Sequence, residues 1–449
     1  MQKQKQPLSS DKQYHPVWLG VGLAGIAVGF ILTFWSPDQV RSLAPEFSER
    51  ELKTSTPWWE IQAIDTMKTS RDKSREYAGN KNLSAITDAH AERIASTGAT
   101  HIAIATPYDS EFLPILRTWV TSARKYNLKV WFRGNWSGWE EWFEYPAISR
   151  EEHLQKTVAF LNENQELFEE GDIFQACPEC ENGGPGDPRY NGDKEGHVQF
   201  LIDLHQVSSE IFAKHHKFVD TRLNSMNGDV ARLIMDPETT KALGGFIVVD
   251  HYVETPTQLV KDLEEYAKLS GGKVILGEFG APIPDIHGVM THEEQAEWLE
   301  DLYAQLVHTP AVVGMNYWTD TGSSTQLWNE SGVPRVGVDV VTKYFTPKTM
   351  YGTITDPHGN ALEGVTVQAP QRSTQTAPNG WYIVPYTEVA GNVTLSKPGF
   401  ITKTISLEEM KTHTQPITLE YDFFTAEALA SLFEKSLERV LRYLFFRQL

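Results

Sequence analysis

From residue 58 onward, short apolar runs alternate with longer stretches in which apolar residues recur every three or four positions. The short runs lack polar alternation and predict strands buried on both faces; the longer stretches predict amphipathic helices packed over them. Strands are expected at 61–65, 101–105, 128–132, 173–177, 217–221, 245–249, 273–276 and 312–317. Helices such as 84–96, 151–168, 197–214, 256–269 and 292–307 fall between them. Strand and helix in alternation imply βαβ units and a parallel sheet. Eight such units predict a (β/α)8 TIM barrel over 57–346, near the ~250 residues this architecture uses. After 346 the pattern shortens into alternating segments broken by the turn signals DPHG, PNG and KPG. That predicts a small antiparallel β-sandwich over 347–421. The final stretch, 422–449, places Leu429, Leu432, Phe433, Leu437 and Leu441 on one stripe and reads as an amphipathic helix.

The N-terminal end follows different rules. Residues 17–35 contain no charge and, as a helix, would span roughly 28 Å, close to the ~30 Å hydrocarbon core of a bilayer. Trp18 and Trp35 stand near the two interfaces, and Lys3, Lys5 and Lys12 precede the run. A single-pass transmembrane helix is expected, with 1–16 cytoplasmic and everything after 35 outside the cell membrane. No small-residue cleavage site follows Trp35, so the anchor is expected to stay. The polar stretch 36–56 then serves as a linker.

Composition narrows the partners. The chain has 449 residues, 40% of them hydrophobic, and a net charge of −19. An acidic surface repels phosphate backbones and acidic polymers, which excludes nucleic acid and leaves neutral ligands. The two cysteines, Cys177 and Cys180, are spaced C-x-x-C with no second pair for zinc. No metal and no cofactor are expected; the pair is a candidate disulfide if the domain is exported.

Candidate chemistry lies at the strand ends, because the C-terminal rim is where barrels of this kind carry their sites. The seventh strand runs through GEFG and delivers Glu278; the fourth ends in CPECEN, with Glu179 and Glu181. The sixth ends at His251 and Tyr252, and the eighth at Trp318. The third runs into Arg133, Asn135 and Trp136, followed by Trp139, Trp142 and Phe143. Two carboxyl groups facing each other across a barrel mouth suit retaining glycoside hydrolysis, which needs them ~5–5.5 Å apart, one protonated and one ionised.

This set resembles the clan A glycoside hydrolases of the cellulase and β-mannanase type, over roughly 57–346. The resemblance implies Glu179 as general acid/base and Glu278 as nucleophile, with Glu181 as the alternative acid/base. It also implies substrate contacts from Arg133, Asn135, Trp136, His251, Tyr252 and Trp318. One position departs from the family: an asparagine usually precedes the acid/base, and Pro178 stands there. The segments YGTITDPHGNALEGVTVQ and TAPNGWYIV resemble the carboxypeptidase regulatory-like (prealbumin-like) β-sandwich, an accessory module. The expected protein is therefore a membrane-anchored, extracytoplasmic retaining glycoside hydrolase acting on a neutral β-linked polysaccharide or oligosaccharide. The alternative is a non-catalytic cell-surface glycan-binding protein on the same barrel.

Overall fold

The computed structural model describes residues 56–387, 390–412 and 415–422. The expected membrane anchor at 17–35 and the amphipathic stretch from 423 lie outside the described residues. Among the described residues, no helix is long and apolar enough to cross a membrane.

Eight parallel strands form one sheet: β1 (Ile61–Asp65), β2 (His101–Ile104), β3 (Lys129–Phe132), β4 (Ile173–Phe174), β5 (Ser225–Asn227), β6 (Phe246–Asp250), β7 (Lys273–Phe279) and β8 (Val312–Tyr317). Their order is β4-β3-β2-β1-β8-β7-β6-β5, and a parallel bridge from Ile173 on β4 to Asp220, in the segment that leads into β5, brings the two edges together. The sheet therefore curls into a barrel.

The interior is a packed layer of Ala63, Ala103, Trp131, Ile173, Leu223, Val248 and Ile275. Small residues on β1 and β2 leave room for the Trp131 indole from β3, the small-and-large alternation that fills a tapering barrel. Truncating this buried ring to alanine would cost about 3–5 kcal/mol. Outward-facing strand residues such as Ile64, Ile102 and Leu276 pack under the surrounding helices. Helix ends are set locally. Thr291 and Glu294 close a capping box on His292–Leu306, while Thr255 and Pro256 start Pro256–Ser270.

The fifth strand is a correction. Residues 217–221 were expected to supply it, but β5 begins at Ser225. The earlier stretch instead bonds to the foot of β4: Phe174 N donates to Asp220 O at 2.9 Å, and Gly171 N to Phe218 O at 3.0 Å. Phe218, in the middle of that stretch, is 75% exposed. Backbone pairing, which leaves no mark in hydropathy, decides this strand.

The C-terminal unit is built from antiparallel sheets. Strands β9 (Lys348–Thr355), β12 (Trp381–Tyr386) and β15 (Ile417–Thr418) form one sheet, ordered β12-β9-β15. Strands β10 (Thr366–Gln368), β11 (Ser373–Gln375), β13 (Asn392–Ser396) and β14 (Lys403–Ser406) form another, ordered β11-β10-β13-β14. Among the described residues of this unit, only the short β9–β15 pairing is parallel. Alternate residues such as Val365, Val367, Val384, Val393 and Leu395 meet in a separate apolar core.

Candidate active site

At the C-terminal mouth of the barrel, neighbouring strands converge on one guanidinium. Arg133, just past β3, has a fully buried side chain. Its Nη1 donates to Asp65 Oδ2 at 2.9 Å and to the Gly277 carbonyl at 2.9 Å, and lies 3.0 Å from Glu278 Oε1. Its Nη2 donates to Asp250 Oδ2 at 2.9 Å. Asn316 on β8 donates through Nδ2 to the same Asp65 oxygen at 2.8 Å. Asp65 Oδ1 accepts from the Met67 amide at 2.6 Å, so this carboxylate is held by three donors. Gly277 is required here: a Cβ would lie 2.1 Å from Asp250 Oδ1.

Glu278 lies near the C-terminal end of β7, and its Oε2 accepts from Tyr252 Oη at 3.0 Å. The Tyr252 ring meets Trp318 edge-on, with centroids 6.2 Å apart, and both residues are partly exposed. Across from Glu278, Glu179 rises from the loop after β4. Oxygens of Glu179, Asp250 and Glu278 lie within 4.8 Å of one another. That spacing would admit a cation, but Arg133 already supplies positive charge to Asp250 and Glu278.

The electrostatics follow from burial. Burial pushes the Glu179 carboxyl up, and the charges of Glu278 and Glu181 push it further. Asp250 is driven well above the usual carboxylate range by burial, against the pull of Arg133. Burial also raises Glu278, while Arg133 and the Tyr252 hydroxyl favour its charged form. Burial works against the charge on Arg133, but Asp250, Glu278 and Asp65 outweigh it and raise its pKa. A second net negative charge in so small a buried space is costly. Burial raises both carboxyls, so Glu179 and Glu278 titrate as a pair, with Arg133 beside Glu278 Oε1 and the Tyr252 hydroxyl on its Oε2 favouring charge on Glu278.

The structure separates the residues singled out in the sequence. Glu179, Glu278, Tyr252 and Trp318 come together at the mouth. Glu181 does not share that role: it is 2% exposed and its Oε1 accepts from the Asn227 amide at 2.6 Å and side chain at 3.0 Å, tying the β4 loop to β5. Arg133 supports the carboxylates from below instead of meeting sugar hydroxyls. Asn135 is buried, accepting from the His153 ring at 2.9 Å and donating to Glu140 at 2.8 Å. Trp136 is buried too, with its indole N–H on Thr157 at 3.1 Å. His251 pairs with Asp262 at 2.7 Å, which anchors the segment that carries Tyr252. Trp131 and Trp139 are core residues, and the Arg71 guanidinium lies 4.5 Å over Trp142.

Asp250 and Asn316 are the participants that sequence reasoning missed. Each stands at or near the end of an apolar strand, at the level of Glu278, and that position was the available signal. Glu140, which accepts from the Asn135 side chain, has its carboxyl raised by burial to about 7.

No family model matches the sequence, and no curated relative matches it either. Solved structures do show similarity in chain path. A GH5_18 protein from Bifidobacterium longum subsp. longum in complex with Manb1-4GlcNAc is 12% identical, covers 68% of this chain and 84% of its own, with a TM-score of 0.48. A fungal β-1,4-galactanase is 14% identical, covering 64% of this chain and 99% of its own, at 0.46. An FMN-binding β-glucuronidase from Facaelibacterium prausnitzii is 15% identical, covering 81% of this chain and 57% of its own, at 0.44. This chain thus spans about half the length of that β-glucuronidase and of one from Bacteroides uniformis, covered at 46%. Such distant likeness assigns no residue a role.

Proposed function

We propose that this chain is a retaining glycoside hydrolase acting on a neutral β-linked polysaccharide or oligosaccharide. The observation that carries the reading is the approach of the Glu179 and Glu278 carboxyls, with oxygens within 4.8 Å, at the mouth of the barrel. Carboxyls whose nearest oxygens approach so closely fit the ~5–5.5 Å separation used in retention better than the ~6.5–9.5 Å that leaves room for an inverting water. In this reading Glu278, kept ionised by Arg133 and Tyr252, attacks the anomeric carbon and forms a covalent glycosyl-enzyme. Glu179 gives its proton to the departing oxygen, then takes one from the water that releases the sugar. Tyr252 and Trp318 form the wall against which the sugar ring rests.

The proposal extends to the rest of the chain. Residues 17–35 anchor it in the cell membrane with the barrel outside, a placement that suits the Cys177–Cys180 disulfide, since such bonds persist in oxidising compartments. The C-terminal sheets act as an accessory module of the carboxypeptidase regulatory-like kind. A second reading, a non-catalytic glycan-binding protein, is favoured by Pro178, which has no donor where the family carries an asparagine.

The test is to incubate the purified full chain with a panel of β-glucans and β-mannans and follow the anomeric configuration of new reducing ends by NMR. Release of sugar with retained configuration is expected. Inverted product would remove the nucleophile role from Glu278. Tight binding without release from any member would establish the second reading.

A further inference from the structure

We propose that the Cys177–Cys180 disulfide and Pro178 form a positioning device that holds the Glu179 carboxyl at the scissile bond. The inference rests on the reading of Glu179 as acid/base. Strand β4 ends at Phe174, so no strand pairing reaches the residue that must be placed most accurately. Instead, Glu179 lies inside a four-residue ring closed by the two sulfurs, both buried. Its backbone sits at φ 43° and ψ 50°, the left-handed region that residues other than glycine seldom adopt.

Several contacts impose it. Pro178 locks its own φ and restricts the backbone of Cys177 before it. The Glu179 amide donates to Ser225 O at 2.9 Å, and the Trp139 indole N–H donates to Cys180 O at 3.1 Å. Asn135 Nδ2 reaches Cys177 Sγ at 3.7 Å. The cross-link joins these contacts into one rigid turn. A short ring gains less from loop closure than a long one, so its effect on global stability is modest and its main consequence is local. Proline at 178 is then part of the geometry: the donor side chain of the family pattern is exchanged for a residue that stiffens the ring.

General acid catalysis demands hydrogen-bond reach to the leaving oxygen, and a misplacement of ~1 Å costs on the order of 10²-fold. That cost falls only on substrates whose leaving group needs the proton. The experiment compares kcat/KM for phenyl and dinitrophenyl β-glucosides and β-mannosides. It uses the full-length wild type, the Cys177→Ser/Cys180→Ser double variant, and wild type reduced by dithiothreitol. In that reduction the S–S bond breaks, two thiols form, and the dithiol departs as its cyclic disulfide.

The expected result is a loss of about 10²-fold on phenyl glycosides with a far smaller loss on dinitrophenyl glycosides. The alkaline limb of the pH profile should also move down, as the freed carboxyl gains solvent. Reoxidation of the reduced wild type should restore both. An equal loss on both substrates would make the disulfide merely structural and overturn the proposal, as would no loss on either. Glu179→Ala separates the two levels. If it shows the leaving-group dependence and the cysteine variant does not, the device fails while the acid/base reading stands. If Glu179→Ala shows none, both fall. Should the double variant fail to fold, the reduced wild type alone decides.

Discussion

Two buried carboxylate settings in this molecule obey opposite rules. In the C-terminal sheets, Asp356 is 1% exposed and accepts from the His358 and Asn360 amides, each at 2.9 Å. It also accepts from the Asn360 side chain at 2.8 Å and from Tyr421 Oη at 2.8 Å. Burial alone would raise this carboxyl, but those donors hold it well below its usual range. At the barrel mouth, Asp250 is also buried, yet its Oδ1 meets no donor among the described residues and its pKa moves up. A carboxylate whose lone pairs are all met is part of the architecture, here pinning a turn. Carboxylates crowded together with lone pairs unmet are costly, and that cost is concentrated where chemistry is done.

The sharpest way to break this contrast is at Glu278. Glu278→Ala should reduce turnover to background while the barrel stays folded, and external azide should restore part of it by entering the vacated space. Failure of azide to act, with activity persisting, would place the nucleophile elsewhere. Next in size is Glu179→Ala, expected to cost roughly 10²–10⁴-fold on poor leaving groups and much less on activated aryl glycosides. Steady-state kinetics across a leaving-group series reads the difference directly.

The sequence showed the two groups unequally. Glu278 was legible as a rim carboxylate because VILGEFG is an apolar strand ending in a lone carboxylate, whereas the choice of Glu179 over Glu181 rested on the family resemblance alone. Arg133 was legible as a rim residue but not in direction: the sequence offers no sign that its side chain turns inward to three carboxylates. Asn135 and Trp136 misled for the same reason, since polar and aromatic residues after a strand suit a ligand or a buried network equally well. The early strands were plain because apolar runs mark them. The fifth was hidden because it is only Ser225–Asn227, too short and too polar to leave an apolar run.

In the other region the same kind of substitution should act on stability and leave catalysis intact. Asp356→Ala removes an acceptor shared by several donors, the Tyr421 hydroxyl among them, for an expected loss of about 1–3 kcal/mol. Denaturant unfolding of the C-terminal unit measures this, while kcat/KM of protein still folded should match the wild type. A large fall in kcat/KM would mean that the C-terminal sheets take part in the site, and the contrast drawn between the regions would be wrong.

The smallest effect tests the energetic side of the contrast. Burial, then the charges of Glu278 and Glu181, raise Glu179, whereas the unfolded chain releases that proton near ~4.3. Between those two values the folded state holds a proton that the unfolded state has lost. The stability from this group is therefore fully present below the unfolded value and lost as pH rises through the folded one. Glu179→Gln keeps the neutral shape and removes the titration, so the variant should melt above the wild type in mildly alkaline buffer, by roughly 2–4 °C for each kcal/mol recovered. The gap should close in acid, below the unfolded value, where wild-type Glu179 is protonated in both states. Thermal melts of both proteins across that range decide the matter. A gap independent of pH would show that Glu179 titrates alike in the folded and unfolded states, and the proton placed on it at the barrel mouth would have to be moved to Asp250 or Glu278.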